Sequence, residues 1–416
     1  MKVRAITLGY DIYQDSTEMM GLKNKLTEIQ DLKANLEQFY EVEYIRLASP
    51  PFTNKMPLAE ISECINSEIP EILETFVAEK LLGIYSFAPG LLDFPNPLDN
   101  THDFIVSKVS QLITSHPNLF SSIQLGSNAN GINFQSIGAA AEIIQNLSHP
   151  DPFRNVQFAA TFNVPPNTPF FPSAYHEGSQ PKISIALEAA DELVNLFLVK
   201  NVNTTSLMKL RQEIQSLFRK IYDQITEVVI SFCDKHHIEF SGIDFSPAPY
   251  PTIEKSIGNA LEQLMIAEFG SVGSVFSIGF ITEALQSVNR PKIGFSGFMQ
   301  PLLEDAVIAQ RNNEEKLDIS KLMLYSTMCG LGLDCIPIPG NLPADAIKSL
   351  LLDLGMMSIR LKKPLTARLM PISGKKSGEK TNFSFEYFTD SNICSVDYFP
   401  RTTWKDFTRH NSHFNF

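Results

Sequence analysis

The hydrophobic and polar positions of this chain follow two alternating patterns along nearly its whole length. Short runs that are apolar at almost every position are typical of strands buried on both faces of a sheet. The runs that predict such strands are VRAITL, EYIRLA, LGIYSFA, SSIQL, VQFAATF, ISIAL, FSGIDF, KIGFSG, CIPI and TARLM.

Between these runs, apolar residues recur at helical spacing. The clearest pattern predicts a helix over residues 206–236, whose apolar stripe consists of Leu210, Ile214, Leu217, Ile221, Ile225, Val228 and Phe232. The other predicted helices cover residues 17–39, 57–79, 135–147, 253–268, 300–330 with a break, and 343–354. Strands that alternate with helices indicate parallel sheets covered by helices, so the pattern predicts the α/β fold class.

The chain shows no long low-complexity linker and no short repeat. We therefore expect one α/β domain over residues 1–396. The proline-rich stretch 163–175 lies between two predicted strands, where a site loop is expected. Residues 397–416 form an aromatic tail that we expect to pack on the body or on a neighbouring subunit, so a homo-oligomer is possible.

Composition narrows the classes of partner. Hydrophobic residues make up 44% of the chain, enough for a sizeable core, and the net charge of -12 argues against nucleic acid as a partner. No run approaches the roughly 18 to 20 apolar residues that span a bilayer, so no membrane partner is expected.

The opening MKVRAITLGYDI is typical of a strand, and the five cysteines are odd in number and scattered. These features predict a cytoplasmic protein with five free thiols.

The stretch GIDFSPAPYPTIEKSIGNALEQL is the first candidate for chemistry. Asp244 ends a predicted strand, Ser246 begins the following loop, and Pro247 and Pro249 stiffen it ahead of a helix. Loops at the carboxyl ends of parallel strands are where ligand groups gather in α/β folds. The alternative is that Asp244 and Ser246 only satisfy backbone amides of the loop.

A second candidate is the loop LGSNANGIN, residues 125–133. Gly126, Ser127, Gly131 and Asn133 offer backbone and side-chain amides at the start of a helix, which suits an anion or a carboxylate. No Lys-Ser/Thr pair follows Gly131, so this is not a Walker A loop. The alternative is a glycine turn with an asparagine cap.

Histidine and acidic residues supply the remaining candidates. His176, beside Glu177, could be a general acid, a general base or a metal ligand, but no second histidine stands four residues on. The sequence therefore leaves open whether a metal ion is bound, and it identifies no cofactor. Glu304 and Asp305 are further acidic candidates, and Asp334 ranks below them because it immediately precedes a strand.

Longer segments occur in a specific order: SSIQLGSNANGIN, FNVPPNTPFFPSAYHEG, GIDFSPAPYPTIEKSIGNALE, FSGFMQPLLEDA and MCGLGLDCIPIPGNLPADAI. With VRAITLGYDI before them and TARLMPISGKKSGE after, this set resembles the bacterial and archaeal family called domain of unknown function 711. The resemblance covers most of the chain. It implies a fold similar to that of pyruvate formate-lyase and the glycyl radical enzymes. That fold is a ten-stranded α/β barrel of two parallel half-barrels placed antiparallel, with the site inside.

The residues that match the family's motifs are Gly126, Ser127, Gly131, Ile132, Asn133, His176, Asp244, Ser246, Glu304, Asp305, Gly332, Leu333 and Asp334. Glu177 stands where the family usually has glycine, Gln180 where it often has glutamate, and Asn341 where aspartate is usual. The glycyl radical motif, Arg-Val-x-Gly-aromatic near the C-terminus, has only an imperfect and misplaced counterpart in RPKIGF, so we expect non-radical chemistry.

These observations lead to one hypothesis and one alternative. The hypothesis is an enzyme that acts by acid–base chemistry on a small polar or anionic metabolite in a barrel pocket. His176 would be the general acid or base, Asp244 its partner or a second base, and Gly126, Ser127, Gly131, Asn133, Ser246, Glu304 and Asp305 would bind the substrate. The alternative is a non-catalytic metabolite-binding, structural or interaction protein.

Overall fold

A computed structural model describes residues 1–13, 16–92, 100–200, 202, 204–265, 267–409 and 412–415. Its strands are β1 Lys2–Gly9, β2 Glu41–Ala48, β3 Ile84–Ser86, β4 Gly90–Leu91, β5 Leu119–Ser127, β6 Gly131–Asn133, β7 Phe158–Phe162, β8 Lys182–Glu188, β9 Glu239–Ala248, β10 Gly332–Pro339, β11 Leu365–Ile372 and β12 His413–Phe414. Its α-helices are α1 Ser16–Leu36, α2 Leu58–Ile65, α3 Ile69–Ala78, α4 Asn100–Ser115, α5 Phe134–Leu147, α6 Ala190–Lys200, α7 Leu207–His236, α8 Ile257–Leu264, α9 Ser274–Gln286, α10 Ala306–Asn313, α11 Ile319–Ser326, α12 Ala344–Leu361 and α13 Trp404–Thr408. Short 3₁₀ helices cover Phe52–Asn54, Pro152–Gln157 and Ile253–Lys255.

The strands join into one large mixed sheet in the order β10-β11-β7-β5-β3-β2-β1-β8-β9. Five of them, from β7 through β5, β3 and β2 to β1, pair in parallel. The pairs β8 with β9 and β10 with β11 are also parallel, but β8 is antiparallel to β1 and β11 is antiparallel to β7. The sheet is therefore built from two groups of parallel strands that run in opposite directions, which agrees with the predicted α/β class.

The two end strands of this order, β9 and β10, approach opposite ends of one segment. Ile243 of β9 makes an isolated parallel bridge with Lys292, and Asp334 of β10 makes one with Pro301. The sequence predicts a strand over KIGFSG, residues 292–297, whereas the structure has only the bridge at Lys292 within that range. The reason is that the amides of Phe295 and Ser296 donate to the Asp244 carboxylate and are not available to a strand ladder.

The two faces of the sheet carry different packing. Ile6 of β1 belongs to the large apolar cluster that also contains the buried helix stripes, while its neighbour Ala5 belongs to a separate small cluster. Successive side chains of a strand point to opposite faces, so the two clusters lie on opposite faces of the sheet. Val164 and Phe170 of the proline-rich stretch belong to the small cluster. This stretch therefore covers the sheet face that the helices leave open.

The two longest helices, α1 and α7, were predicted from their periodicity, whereas the shorter helices α4, α6 and α9 were missed. Helix α7 confirms the predicted helix 206–236, although its buried face uses Phe218 and Val229 where the pattern suggested Leu217 and Val228. Helix α9 was missed because its apolar residues lie on more than one side, with Ile278 buried and Phe276 exposed. Helix α4 was also missed. The predicted helix 57–79 is interrupted between α2 and α3.

The cysteine prediction is confirmed, because all five cysteines are free and buried. In the part of the chain that the structure describes, no helix has both the length and the apolar character to cross a membrane.

Candidate functional site

A partly open cavity of ≈ 110 Å³ lies on the sheet face opposite the helices. Phe170, Ala248, Met299 and Leu331 of the small apolar cluster line it. Charged side chains from distant parts of the chain also line it, namely Arg4, Arg46, Glu304, Asp334 and Arg368. Because β1, β2, β10 and β11 each supply one of these residues, the sheet itself brings the charges together.

Arg368 is the centre of an ion-pair network in this wall. Its Nε donates to Asp334 Oδ1 at 2.6 Å and its Nη2 donates to Glu304 Oε1 at 2.8 Å. The parallel pairing of β10 with β11 holds Asp334 beside Arg368. The Cys335 thiol donates to the same Glu304 oxygen at 3.2 Å. Arg368 therefore links two carboxyl groups of the cavity wall.

These two carboxyl groups have pKa values displaced in opposite directions. Burial raises the pKa of Asp334, and the neighbouring Glu304 adds to this effect against the pull of Arg368. Burial would also raise the pKa of Glu304, but the Arg368 and Arg4 guanidiniums outweigh it, so this pKa lies below its usual value. A pair of carboxyl groups with separated pKa values is the arrangement that supplies one proton donor and one proton acceptor.

Arg4 is a paired cation. Its Nη1 lies 2.9 Å from Glu188 Oε2, and Lys255 contacts the other Glu188 oxygen at 3.2 Å. Its Nη2 lies 3.8 Å from Glu304 Oε2. Burial alone would lower the pKa of Arg4, but Glu304, Glu43 and Glu188 raise it overall.

Arg46 is buried without such a partner. Its side chain is part of a residue only 6% exposed, and among the described residues it has no carboxylate within 4.0 Å. Its Nε is buried and has no hydrogen-bond partner in the described part of the chain, and its guanidinium carbon lies over the rings of Phe171 at 5.4 Å and Tyr44 at 5.9 Å. Burial, and then the charge of Arg4, lower the pKa of Arg46 to about 10. Arg46 lines the cavity, and its guanidinium forms no ion pair with another described residue.

Asp244, a predicted catalytic residue, lies outside the cavity lining. It is fully buried and accepts from the backbone amides of Ser246 at 2.9 Å, Phe295 at 2.7 Å and Ser296 at 2.8 Å. Burial raises the pKa of Asp244 while these donors oppose the change. Ser246 Oγ accepts from the Gly297 amide at 3.2 Å. Both side chains hold the segment 294–297 against β9.

Asp305, predicted to bind substrate, also accepts hydrogen bonds at both of its carboxylate oxygens. It accepts from the amides of Ile257 and Gly258 at the start of α8 and from those of Val307 and Ile308 at the start of α10. The Ser256 hydroxyl donates to it at 2.6 Å. One carboxylate thereby caps two helices, which is a favourable place for a negative charge. Glu304, its neighbour in the predicted pair, is the one that reaches the cavity.

The predicted loop 125–133 is a hairpin between β5 and β6, and the C-terminal strand β12 pairs with its second arm. Gly131 has φ +70° and lies close to Phe414. A Cβ atom added to Gly131 would lie 2.3 Å from the carbonyl oxygen of Phe414. Asn133 caps α5 by accepting from Ser136 N, and its Nδ2 lies 2.8 Å from His413 Nε2. Gly126 pairs with Ile132, and Ser127 Oγ accepts from Asn130 N at 3.1 Å.

His176, the other predicted catalytic residue, lies at the ends of β1 and β2. Its backbone amide donates to Ser49 O at 3.0 Å, and its Nδ1 lies 3.0 Å from Asn167 Oδ1. Its Nε2 is buried with no hydrogen-bond partner among the described residues. Burial, followed by the Lys182 charge, lowers the pKa of His176 to about 4. The described residues show no hydrogen bond that joins His176, Asp244 and Ser127.

Three arginines of the cavity were not singled out from the sequence. Arg4 in VRAITL, Arg46 in EYIRLA and Arg368 in TARLM each stand as a charge within a mainly apolar strand. An isolated charge in a buried strand requires a partner, so this pattern is a usable signal for an interior polar site. In the described part of the chain, no group of three or more His, Cys, Asp or Glu side chains is arranged to hold a metal ion.

Sequence comparisons identify relatives of this chain. A family model described as "Uncharacterised ACR (DUF711)" matches residues 1–386. A UPF0210 protein of Pyrobaculum aerophilum is 31% identical over 262 residues, which are 62% of this chain and 58% of that protein. A UPF0210 protein of Oenococcus oeni is 26% identical over 288 residues, covering 68% of this chain and 64% of that protein. In both, the match spans less than two thirds of the relative's length. A UPF0210 protein of Actinobacillus pleuropneumoniae is 24% identical over 400 residues, or 92% and 87% of the two chains.

Proposed function

We propose the following function for this chain, which belongs to the DUF711 family: it is an enzyme that binds a small anionic metabolite in the cavity and acts on it by acid–base chemistry. The observation that carries the proposal is Arg46, a buried guanidinium that faces the cavity without a carboxylate partner. A bound anion would supply the missing charge and the missing hydrogen-bond acceptor.

The energetic argument rests on desolvation. A buried ion without a partner costs several kcal/mol relative to water, and a protein retains such an ion where function requires it. Arg4 and Arg368, in the same wall, already have carboxylates at 2.9 Å and 2.6 Å. Arg46 is thus the member of this arginine trio that is available to an external ligand.

The chemistry is assigned to Glu304 and Asp334. Arg368 holds both groups in the cavity wall, and the displacement of their pKa values in opposite directions favours Asp334 as proton donor and Glu304 as proton acceptor. Arg46 would fix the anionic group of the substrate, so that the rest of the molecule extends toward this pair.

We infer that the sheet closes around this cavity as a ten-stranded barrel. The two isolated bridges at Lys292 and Pro301 support this inference, because segment 292–301 then stands between β9 and β10 as the tenth strand. The opposite directions of the two parallel groups also fit the barrel that the family resemblance implies. An experimental structure in which β9 and β10 do not flank this segment would contradict the inference.

The roles predicted for His176 and Asp244 in catalysis stay predictions, as do a cytoplasmic location and a homo-oligomer. We propose that Asp244, Ser246 and Asp305 act on the site indirectly, because their contacts hold the segments that carry cavity residues. Met299 and Glu304 line the cavity and lie next to these segments in the chain.

A non-catalytic anion-binding protein is the second candidate. The observation in its favour is that both cavity carboxyl groups already contact Arg368, so neither is free before a ligand binds. Such a protein would use the same Arg46 contact but would release its ligand unchanged.

The two candidates are separated by incubating the protein with a small-molecule cell extract. Mass spectrometry then follows which anions are retained and which are consumed. We expect wild type to consume one anion, Asp334→Asn to retain it without consuming it, and Arg46→Met to do neither. Retention without consumption by wild type would favour the binding protein. If no anion depends on Arg46, the proposal is wrong.

A further inference from the structure

We propose that the ligand of this cavity is a short monocarboxylate with an apolar chain, of about four to six non-hydrogen atoms. This inference rests on the proposed function and names the class of its substrate. It follows from the number of free charges, the shape of the free cation, the lining of the cavity and its size.

Of the three arginines in the cavity wall, one has no ion-pair partner among the described residues. Arg4 is paired with Glu188, and Arg368 with Glu304 and Asp334, which leaves Arg46. The charge of Glu43 raises the pKa of Arg46 from beyond ion-pair distance, while its Oε1 accepts from the Tyr387 hydroxyl at 2.5 Å. One unpaired guanidinium calls for one negative group.

The geometry of Arg46 favours a carboxylate. Aromatic rings of Phe171 and Tyr44 lie within 6 Å of the guanidinium carbon, at 5.4 and 5.9 Å. Nε is enclosed without a partner among the described residues, so the edge formed by Nη1 and Nη2 is the one left to a ligand. A guanidinium edge presents two parallel N–H donors, which match the two oxygens of a carboxylate. The free edge of Arg46 therefore fits a planar anion that accepts two hydrogen bonds.

The remaining wall determines the rest of the ligand. Ile84, Phe120, Phe170, Met299 and Leu331 present apolar surface to the cavity. The cavity volume is ≈ 110 Å³. Because an apolar protein cavity of about 150 Å³ accommodates benzene, this cavity has room for about four to six non-hydrogen atoms. The carboxylate itself accounts for three of these atoms, so an attached apolar chain of about one to three carbons fills such a space.

A second negative group would meet repulsion. Glu304, the proton acceptor of the proposed reaction, presents a negative charge in the cavity wall. A dicarboxylate or a phosphate dianion would place its additional charge near this carboxylate in a region of low dielectric. Such like-charge contacts disfavour binding, so the wall selects against dianions as well as for a monoanion.

Calorimetry with the full chain tests this class directly. The compounds are butyrate, its neutral analogue butyramide, the dianion succinate, and inorganic phosphate. We expect butyrate to bind at least about tenfold more tightly than the other three. Arg46→Met should weaken butyrate binding by about 100-fold and Arg46→Lys by less, because lysine keeps the charge and loses the fork. Arg311→Lys, at an arginine outside the cavity, should bind butyrate as wild type does.

The outcomes separate this inference from the proposed function. If succinate or phosphate binds most tightly and the binding requires Arg46, the monocarboxylate class is wrong while the anion site stands. If butyramide binds as tightly as butyrate to wild type, the carboxylate contact is wrong, and this result needs no variant to fold. If none of the anions binds in a way that depends on Arg46, both the class and the proposed site are overturned.

Discussion

Glu304 and Asp305 are adjacent, but Asp305 is fully buried and Glu304 is half-buried, and they lie in regions of different character. Asp305 belongs to a fastening region, where backbone amides of two helices and the Ser256 hydroxyl saturate its oxygens. Glu304 belongs to the cavity wall, where its partners are the side chains of Arg368, Arg4 and Cys335. Amide donors fix the backbone around a carboxylate, whereas side-chain partners leave it exposed to a cavity and to its ligand. Burial alone therefore does not mark a functional carboxylate, but the kind of partner does.

The arginines show the same division. Arg311 is surrounded by Glu262, Glu314 and Glu268 at 2.6, 2.9 and 3.4 Å, and the Glu262 hydrogen bond raises its pKa. Arg46 has no partner within this range among the described residues, and its pKa is lowered to about 10. Charged side chains whose partners all lie within the chain stabilise the fold. Charged side chains in a cavity that lack such partners are available to bind a ligand. Each prediction below tests a member of one of these two classes.

The largest effect is expected for Asp244→Asn. Both Asp244 oxygens accept backbone amides, so the Asn Nδ2 must face one of these donors in either orientation. We expect the free energy of unfolding to fall by about 3 kcal/mol, because a buried donor is left unsatisfied and charge-assisted bonds are lost. Urea denaturation measures this change.

The control for Asp244→Asn is Asp234→Asn at an exposed position of α7, which should change stability by less than about 0.5 kcal/mol. If Asp244→Asn keeps wild-type stability and abolishes ligand binding, Asp244 belongs to the binding site. Its assignment to the group of carboxylates that only stabilise the fold would then be wrong.

The sequence predicted more of the fold than of the candidate site. Apolar runs located the strands and periodic stripes located α1 and α7, because these patterns report burial of local residues. The sequence could not separate Glu304 from Asp305, since two adjacent acids become distinct only through partners such as Arg368, 64 residues away from Glu304. It also could not show that Arg46 is unpaired while Arg4 meets Glu188, 184 residues away. Pairing over such distances is a property of the assembled sheet.

A second prediction concerns His176 and acid. Its pKa falls from 6.5 to about 4 in the folded protein, so the unfolded chain binds the proton more readily between these values. The stability associated with neutral His176 is therefore present above its unfolded pKa and is lost as the pH falls toward its folded pKa. Between about pH 7 and pH 5, we expect a loss on the order of 2 kcal/mol from this residue.

Urea denaturation of wild type and His176→Gln across this pH range measures that contribution. The variant should lose less stability on acidification, and His116→Gln, at a half-buried histidine elsewhere, should follow the wild-type curve. Parallel curves for wild type and His176→Gln would show that the buried imidazole does not resist protonation.

The third and smallest effect is a contrast between two arginine variants. Arg311→Met leaves Glu262 without its cation, while Lys316 still contacts Glu268 and Glu314, so we expect a loss of about 1 to 2 kcal/mol. Arg46→Met replaces an unpaired buried charge by an apolar side chain, so stability should stay equal or rise. Thermal denaturation of the ligand-free proteins compares them. A larger loss for Arg46→Met than for Arg311→Met would mean that Arg46 has a partner within the chain.

Anion binding at Arg46 is tested most directly by anomalous diffraction from crystals soaked in bromide, a monovalent anion that scatters anomalously. We predict an interior bromide peak within hydrogen-bonding distance of the Arg46 guanidinium in wild-type crystals and no peak at this place in Arg46→Met crystals. Peaks confined to surface lysines and arginines, with the cavity empty in wild type, would contradict the claim that an unpaired Arg46 makes this cavity an anion site.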